Sequence, residues 1–358
     1  MKNKFLATVM LMLVSTPALA YSVSLVAELD DVPWGIEFID HDKLLINEKS
    51  GHIRLLDIDS GDIKLLMTIP DIYSNGQGGL LDVAKAPNSN HDFFFTYTKT
   101  VGKSTETVLA KAQLIEGSLQ HWQDLLITNS GSGSSRHFGS RITFDDNNHV
   151  YFSVGDRGDR DNGQNTNNLA ATIIRLNLDG SVPSNNPYVD NSEVRNEIWS
   201  YGHRNPQGIF FDSLTQNLWA IEHGPRGGDE INLIQPKTNY GWPVTSHGKE
   251  YWGPIAVGEG QEKEGIESPA LVYIPSIAPG SLILYRGQRY PNLNGHLLAS
   301  ALKLQHINVI SIDNNNALSE TSRILESLAE RIRDITVSPD DYIYFSTDSG
   351  HIYRLSPN

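Results

Sequence analysis

Residues 332–355 read IRDITVSPDDYIYFSTDSGHIYRL. Residues 332–337 form an apolar run broken by single polar residues. Pro339-Asp340-Asp341 is a turn, 342–346 a second run, and 350–355 a third after another turn. The order is strand, polar turn, strand, loop, strand, and it recurs upstream. Residues 35–38 are followed by His41-Asp42, then 44–46 and 51–55. Residues 140–144 are followed by 145–148, then 150–154, with 173–178 farther on. Residues 208–211 precede 218–221 and 230–233, and weaker copies lie at 79–98 and 280–312. The chain holds six copies of one sheet unit.

Radial repetition of small antiparallel sheets is a β-propeller. The expected fold is therefore all-β: one six-bladed β-propeller of four-stranded antiparallel sheets over residues 21–358. Residues 21–29 are expected to lie as an outer strand beside the C-terminal repeat and close the ring. A pair of β-sandwiches needs no recurring unit. The segments 155–172 and 246–269 are expected as loops on one rim, where function collects.

Residues 1–20 read as a secretory signal peptide. Lys2 and Lys4 give a positive start, 5–14 an apolar run too short to span a bilayer, and Ala18-Leu19-Ala20 a cleavage site. Cleavage after Ala20 leaves a soluble periplasmic protein without membrane insertion. There are 0 cysteines, so an exported chain must be held by its core or by bound metal. The formal charge of −14 argues against nucleic acid and against an anionic membrane surface.

The chemistry concentrates in residues 197–243. Gly202-His203-Arg204-Asn205-Pro206 precedes one apolar run, and residues 222–230 (EHGPRGGDE) follow the next. Arg204 suits a planar anion, because guanidinium binds carboxylates as a fork. The Gly224-Pro225 turn can present carbonyls beside Asp229 and Glu230, which suits a hard cation such as calcium. His137 lies just before the strand at 140–144, and Asp156 follows the strand at 150–154. Antiparallel pairing puts the start of one beside the end of the next, so both share a rim and the carboxylate can orient the imidazole. The loop GDRGDRDNG (155–163) lacks the closing glutamate of an EF-hand and reads as a solvated turn. Gln77, in Gly76-Gln77-Gly78-Gly79, offers a side-chain amide. Lys303 sits in an otherwise apolar run and reads as a strand residue. Arg331 and Arg333 point to one face of a strand and need an anion between them, or an acid such as Glu330 or Asp334. Four blades thus offer Gln77, Arg204 with Asn205, Lys303, and Arg331 with Arg333 towards one axis, where a small polyanion can meet them.

These residues carry a resemblance. Tyr201-Gly202-His203-Arg204-Asn205-Pro206-Gln207-Gly208, residues 222–232 (EHGPRGGDEIN) and Asn239-Tyr240-Gly241-Trp242-Pro243 resemble the soluble pyrroloquinoline-quinone (PQQ)-dependent glucose and aldose sugar dehydrogenases, above all the bacterial periplasmic aldose branch. The likeness runs from Val32-Pro33-Trp34-Gly35 to Tyr353-Arg354-Leu355. It implies a six-bladed propeller with His137 as general base and Asp156 as its support. It implies that Gln77, Arg204, Asn205, Lys303, Arg331 and Arg333 hold the quinone, with His137 against it and Arg204 stabilising the charge that develops there. The carbonyls of Gly224 and Pro225 are implied calcium ligands, and Glu230 with the Tyr240 region a second calcium site. The implied reaction moves the C1 hydride of an aldose to PQQ and yields a lactone; mono- and disaccharides are the expected substrates, with an electron acceptor that the sequence leaves unnamed. The chain departs from the family at Ala171-Thr172, where Gly-Lys is usual, and 246–269 matches poorly, although Tyr251 and Trp252 there suit a sugar face. The competing readings are a calcium-dependent propeller lactonase, which wants carboxylate and Asn ligands on the axis, and a non-catalytic propeller that binds glycan or protein.

Overall fold

Strands buried on both faces read as unbroken apolar runs, and strands with one wet face alternate. Both kinds occur here in a fixed order. Leu80–Lys85, His149–Val154 and His296–Ala301 are inner or middle strands and almost wholly buried. Ile63–Thr68 and Tyr21–Glu28 lie at outer edges and are mostly exposed or half-buried. The computed structural model describes residues 21–357; the expected signal peptide at 1–20 lies outside them. The described residues form six four-stranded antiparallel sheets, at 33–68, 80–127, 142–201, 206–273 and 279–324, with a sixth built from residues 21–28 and 332–357. We number them blades 1 to 6. In blade 6, Tyr21–Glu28 pairs with His351–Pro357, Val23 opposite Leu355, beside Ile343–Thr347 and Ile332–Val337. The six repeats and the ring closure follow the sequence reading.

Glycine marks the inner strand where the next blade's backbone presses closest. A Cβ on Gly208 would lie 2.6 Å from the Leu282 nitrogen, and one on Gly280 2.6 Å from the Arg333 carbonyl oxygen. Those contacts fix blade 4 on blade 5 and blade 5 on blade 6.

Arg141, just ahead of Ile142–Phe144, crosses the axis. Its guanidinium donates to Asp82 Oδ1 at 2.7 Å, to the Gln207 carbonyl at 3.0 Å, and to the Gly280 and Arg333 carbonyls at 2.8 and 3.0 Å. Asp334 Oδ1 is 3.0 Å away. The other oxygens of the two carboxylates accept from the backbone N–H of Ile142 and Ile36. One cation from blade 3 thereby ties blades 2, 4, 5 and 6. An axial cavity of about 440 Å³, lined by Glu37, Phe144, Phe210 and Thr336, lies on its side of the ring. A second, of about 450 Å³, opens beyond Gln207 and Arg333.

Three local expectations are corrected. Lys303 is not in a strand: His296–Ala301 ends before it, and the Leu302 and Lys303 N–H groups donate to the carbonyls of Ala278 and Ile277, outside the ladder. The acid between Arg331 and Arg333 is Asp348, because Asp334 is taken by Arg141 and Glu330 by Ser349 and His351. The segment 155–172 is not all loop; it carries a 3-10 turn at Arg160–Gln164, and Thr172 opens the strand Thr172–Asn177.

Candidate active site

His137 stands on the rim of blade 3 with φ 56, in the left-handed region where a side chain is strained. Its N–H donates to Gln77 Oε1 at 2.7 Å, so the blade 2 loop holds its backbone. Its Nδ1 lies 2.6 Å from Asp156 Oδ1. A carboxylate only accepts, so Nδ1 carries the proton and Nε2 keeps its lone pair. Burial pushes the imidazole below its ordinary pKa; Asp156 pulls it up, while Arg204 and Arg136 add to the downward push.

Asp156 is buried, and every contact fixes its aim. Oδ1 also accepts from the Gly158 N–H at 2.7 Å, and Oδ2 from Trp242 Nε1–H at 2.8 Å. Its own N–H donates to the Arg204 carbonyl at 2.8 Å. His137 and Asp156 thus meet on one rim, and the same pair is tied to the Arg204 loop.

Glu222, at the end of Asn217–Glu222, organises that loop. It accepts from the Arg204 N–H at 2.6 Å and pairs with His203 Nδ1 at 2.9 Å; His203 in turn stacks on Tyr240 at 4.8 Å. The Arg204 guanidinium is buried, with one nitrogen on the His223 carbonyl at 3.0 Å and Nε without a partner. Leaving a charged donor unpaired is costly, so the group fits an anionic ligand. Asn205 Oδ1 accepts from the Gly139 N–H at 3.1 Å.

Gln77, Asn205, His223, Arg331, Arg333 and Asp348 line the 450 Å³ cavity. Arg331 Nε and Arg333 Nε grip Asp348 at 2.7 and 2.8 Å, and Arg333 lies 4.0 Å over the Trp34 ring. Lys303 is exposed in its turn and does not line the cavity; its neighbour Leu302 accepts from Arg331 at 3.1 Å. Lys49 lines the cavity from blade 1, its amine on the Ser74 carbonyl at 2.8 Å.

Gly224, Pro225, Glu230 and Tyr240 share a small neighbouring pocket with Arg204 and Glu222. Asp229 spends both oxygens on the N–H groups of Gly224 and Ala278, and so shapes the turn. The Tyr240 hydroxyl donates to the Leu233 carbonyl at 2.6 Å, leaving its main chain for any ligand role. Glu230 is paired across the ladder with Glu222. Burial, then Glu222, pushes its carboxyl well above the ordinary range. A dication beside this carboxyl pair would relieve that repulsion, so the donors fit calcium. Among the described residues no three His, Asp or Glu side chains cluster as a metal site, so a cation held here would draw on main-chain carbonyls.

The sequence reading assigned no role to Trp242, His223, Trp34, Lys49 or Asp348. Trp242 and His223 lie inside the quoted motifs, which was the available signal. Burial, with Arg204, His137 and Arg333 nearby, holds His223 neutral, with its pKa pushed down to about 3. The unfolded chain protonates this residue at the ordinary value of about 6.5. It therefore takes up the proton first as pH falls, and folded stability present above about 6.5 is lost towards about 3. Denaturant unfolding of the quinone-free protein across that window is expected to show a loss that His223→Asn makes shallower. An identical slope in the variant would place the acid sensitivity elsewhere.

A family model described as Glucose / Sorbosone dehydrogenase matches residues 30–354. The chain is 34% identical over 337 residues to aldose sugar dehydrogenase YliI of Escherichia coli, covering 91% of this chain and 90% of that one. It is 31% identical over 236 residues to quinoprotein glucose dehydrogenase B of Acinetobacter calcoaceticus, covering 57% and 48%. The apo-form crystal structure of the soluble Escherichia coli aldose sugar dehydrogenase superposes with a TM-score of 0.90 at 31% identity, covering 95% of this chain and 100% of that one.

Proposed function

Since this chain belongs to the glucose/sorbosone dehydrogenase family and is a sugar-oxidising quinoprotein, we propose that it is a PQQ- and calcium-dependent aldose dehydrogenase that oxidises the C1 hydroxyl to a lactone. One observation carries the reading. A histidine aimed by a buried carboxylate stands on the same rim as a buried guanidinium with an unpaired Nε.

His137 Nε2 accepts the proton of the anomeric hydroxyl. Asp156 holds Nδ1–H and stabilises the imidazolium without taking the proton itself. Trp242 keeps Asp156 from turning away. Arg204, Asn205, Gln77, Arg331 and Arg333 hold the quinone, while Lys303, which the resemblance also implies, stays exposed in its turn outside the cavity lining. Gly224 and Pro225 hold one calcium through carbonyls, and Glu230 with the Tyr240 main chain a second. When bound, the quinone supplies the two-electron acceptor and calcium the Lewis acid beside it. Arg204 adds fixed positive charge where negative charge develops.

Tyr251 and Trp252, 66% and 75% exposed on the 246–269 insert, support an open sugar site that takes mono- and disaccharides. The charged and apolar start at 1–20 supports a cleaved signal peptide and a periplasmic protein. Among the described residues no helix is long and apolar enough to cross a membrane. The electron acceptor is a separate partner.

The test is reconstitution. Protein made in a host without the quinone is expected to be inactive with every aldose and to gain dye reduction on adding quinone and calcium. A chelator present during reconstitution should prevent the gain. Full activity with a nicotinamide and no quinone would overturn the proposal.

A further inference from the structure

Arg157 looks in sequence like part of a solvated turn, yet it is 0% exposed. Among the described residues it forms no ion pair. Instead its guanidinium donates to the carbonyls of Ser134 at 2.6 Å, Thr105 at 3.0 Å and Arg136, and to Thr105 Oγ1 at 2.8 Å. Its central carbon also lies over the Phe138 ring, 3.4 Å from the centroid. Its own carbonyl accepts from Ser132 Oγ at 2.9 Å. Burying a cation without a paired acid is expensive, and an apolar side chain would fill the space at less cost. What the guanidinium adds is a hold on residues 134, 136 and 138, on both sides of His137.

His137 needs that hold. Its left-handed backbone costs of order 1–3 kcal/mol and persists only where its surroundings over-determine it. The Gln77 amide fixes its N–H, and Asp156 fixes its ring. The chain on either side is touched at single points, by the Gln77 N–H on the Ser135 carbonyl at 2.8 Å and by Thr107 Oγ1 on the Phe138 carbonyl at 2.9 Å, and Arg157 alone spans both sides at once.

We propose that Arg157 is the positioning residue for the general base: it clamps the 134–138 loop so that the left-handed His137 presents its imidazole to Asp156 and the substrate. Neighbouring residues of one turn thus divide the task, Asp156 taking the side chain of the base and Arg157 its main chain. The proposal rests on His137 acting as the base.

Arg157→Met is expected to lower kcat by about ten- to a hundredfold, the scale of a base displaced by about an ångström. Sugar KM and quinone affinity, read by absorbance titration, should stay within about threefold. The charged and titratable groups around the imidazole are Asp156, Arg204, Arg136 and His223, and the variant leaves all four in place. Loosening the loop hydrates the ring. The His137 titration midpoint, followed by NMR in quinone-free protein, should therefore rise towards its ordinary value.

Arg175→Met is the matched control. Arg175 is also buried, on blade 3, and stacks 4.7 Å over Trp199 away from the rim. It should lose stability without losing kcat. A kcat loss confined to Arg157→Met, with the midpoint raised, supports the clamp. Equal losses in both variants, a folded Arg157→Met with normal kcat, or an unmoved midpoint would overturn it. Should Arg157→Met fail to fold, Phe138→Leu removes only the stacked face and is expected to act in the same direction, more weakly; normal kcat and midpoint there overturn the clamp as well. His137→Gln separates the two claims. If it keeps turnover, the base reading fails. If it loses turnover while Arg157→Met does not, the clamp alone fails.

Discussion

His137→Gln is expected to lower turnover by about 10²–10⁴-fold at saturating sugar and quinone, the scale of a lost general base. Its two polar neighbours do not take over as base: Asp156 is occupied by Gly158 and Trp242, and Arg204 is a permanent cation. Quinone affinity should change little, because the arginines proposed to hold it are on other blades. Asp156→Asn should cost less, since it leaves the base and removes its orienting acceptor. The pH profile gives an independent reading. Burial holds His137 below its ordinary value. The imidazole therefore stays neutral to a lower pH, and the acid limb of turnover should fall below about 6.5. Near wild-type turnover in His137→Gln would remove the histidine from the mechanism. Loss of quinone binding in that variant would make it a cofactor ligand instead.

Arg141→Met is expected to destabilise the protein by about 3–5 kcal/mol, because it leaves buried carboxylates without their cation. Asp82 and Asp334 keep their backbone donors and lose the charge between them. Burial, then Asp334, already raises Asp82 to about 6 against the pull of Arg141, and burial with Asp82 and Asp334 raises Glu37 to about 8. Without Arg141 these carboxyls bind protons still more readily in the folded state than in the unfolded chain. The loss should therefore be smaller in mild acid and grow as pH rises through the folded pKa values. Denaturant unfolding at two pH values tests both size and sign. A loss below about 1 kcal/mol, or one independent of pH, would show that the ring does not depend on its central ion group.

What the sequence made legible is what repeats or what the strand ladder dictates. Residues 332–355 display the blade pattern, and antiparallel pairing puts His137 and Asp156 on one rim. Contacts across the ring were not legible, because no periodicity encodes them. Trp242 reaches Asp156 from 86 positions away, and Arg141 joins four other blades. Arg157 was misread because its neighbours are all turn formers, and composition cannot show that a turn is folded inward. Lys303 was misread because an apolar run was taken to continue the strand, whereas its backbone donors leave the ladder for Ala278 and Ile277. The acid shared by Arg331 and Arg333 lies on the next turn of the same blade, 15 to 17 positions on, rather than beside them in sequence.

Blade 6 is closed by the strand Tyr21–Glu28, and Arg331, Arg333 and Asp348 belong to that blade. The cavity, which takes Trp34 and Lys49 from blade 1, therefore acquires its full set of charges only when blades 1 and 6 have met. A ligand that needs those charges binds the finished ring and neither the open nor the unfolded chain. By mass action it stabilises the closed ring by RT ln(1 + [L]/Kd). Its effect should reach the seam itself: amides of Tyr21–Glu28 and His351–Pro357 should exchange with solvent more slowly once the cavity is filled, although the ligand touches neither strand. The small molecule would then be a fastener as well as a reagent, and an empty ring the form most easily opened by a protease at its ends.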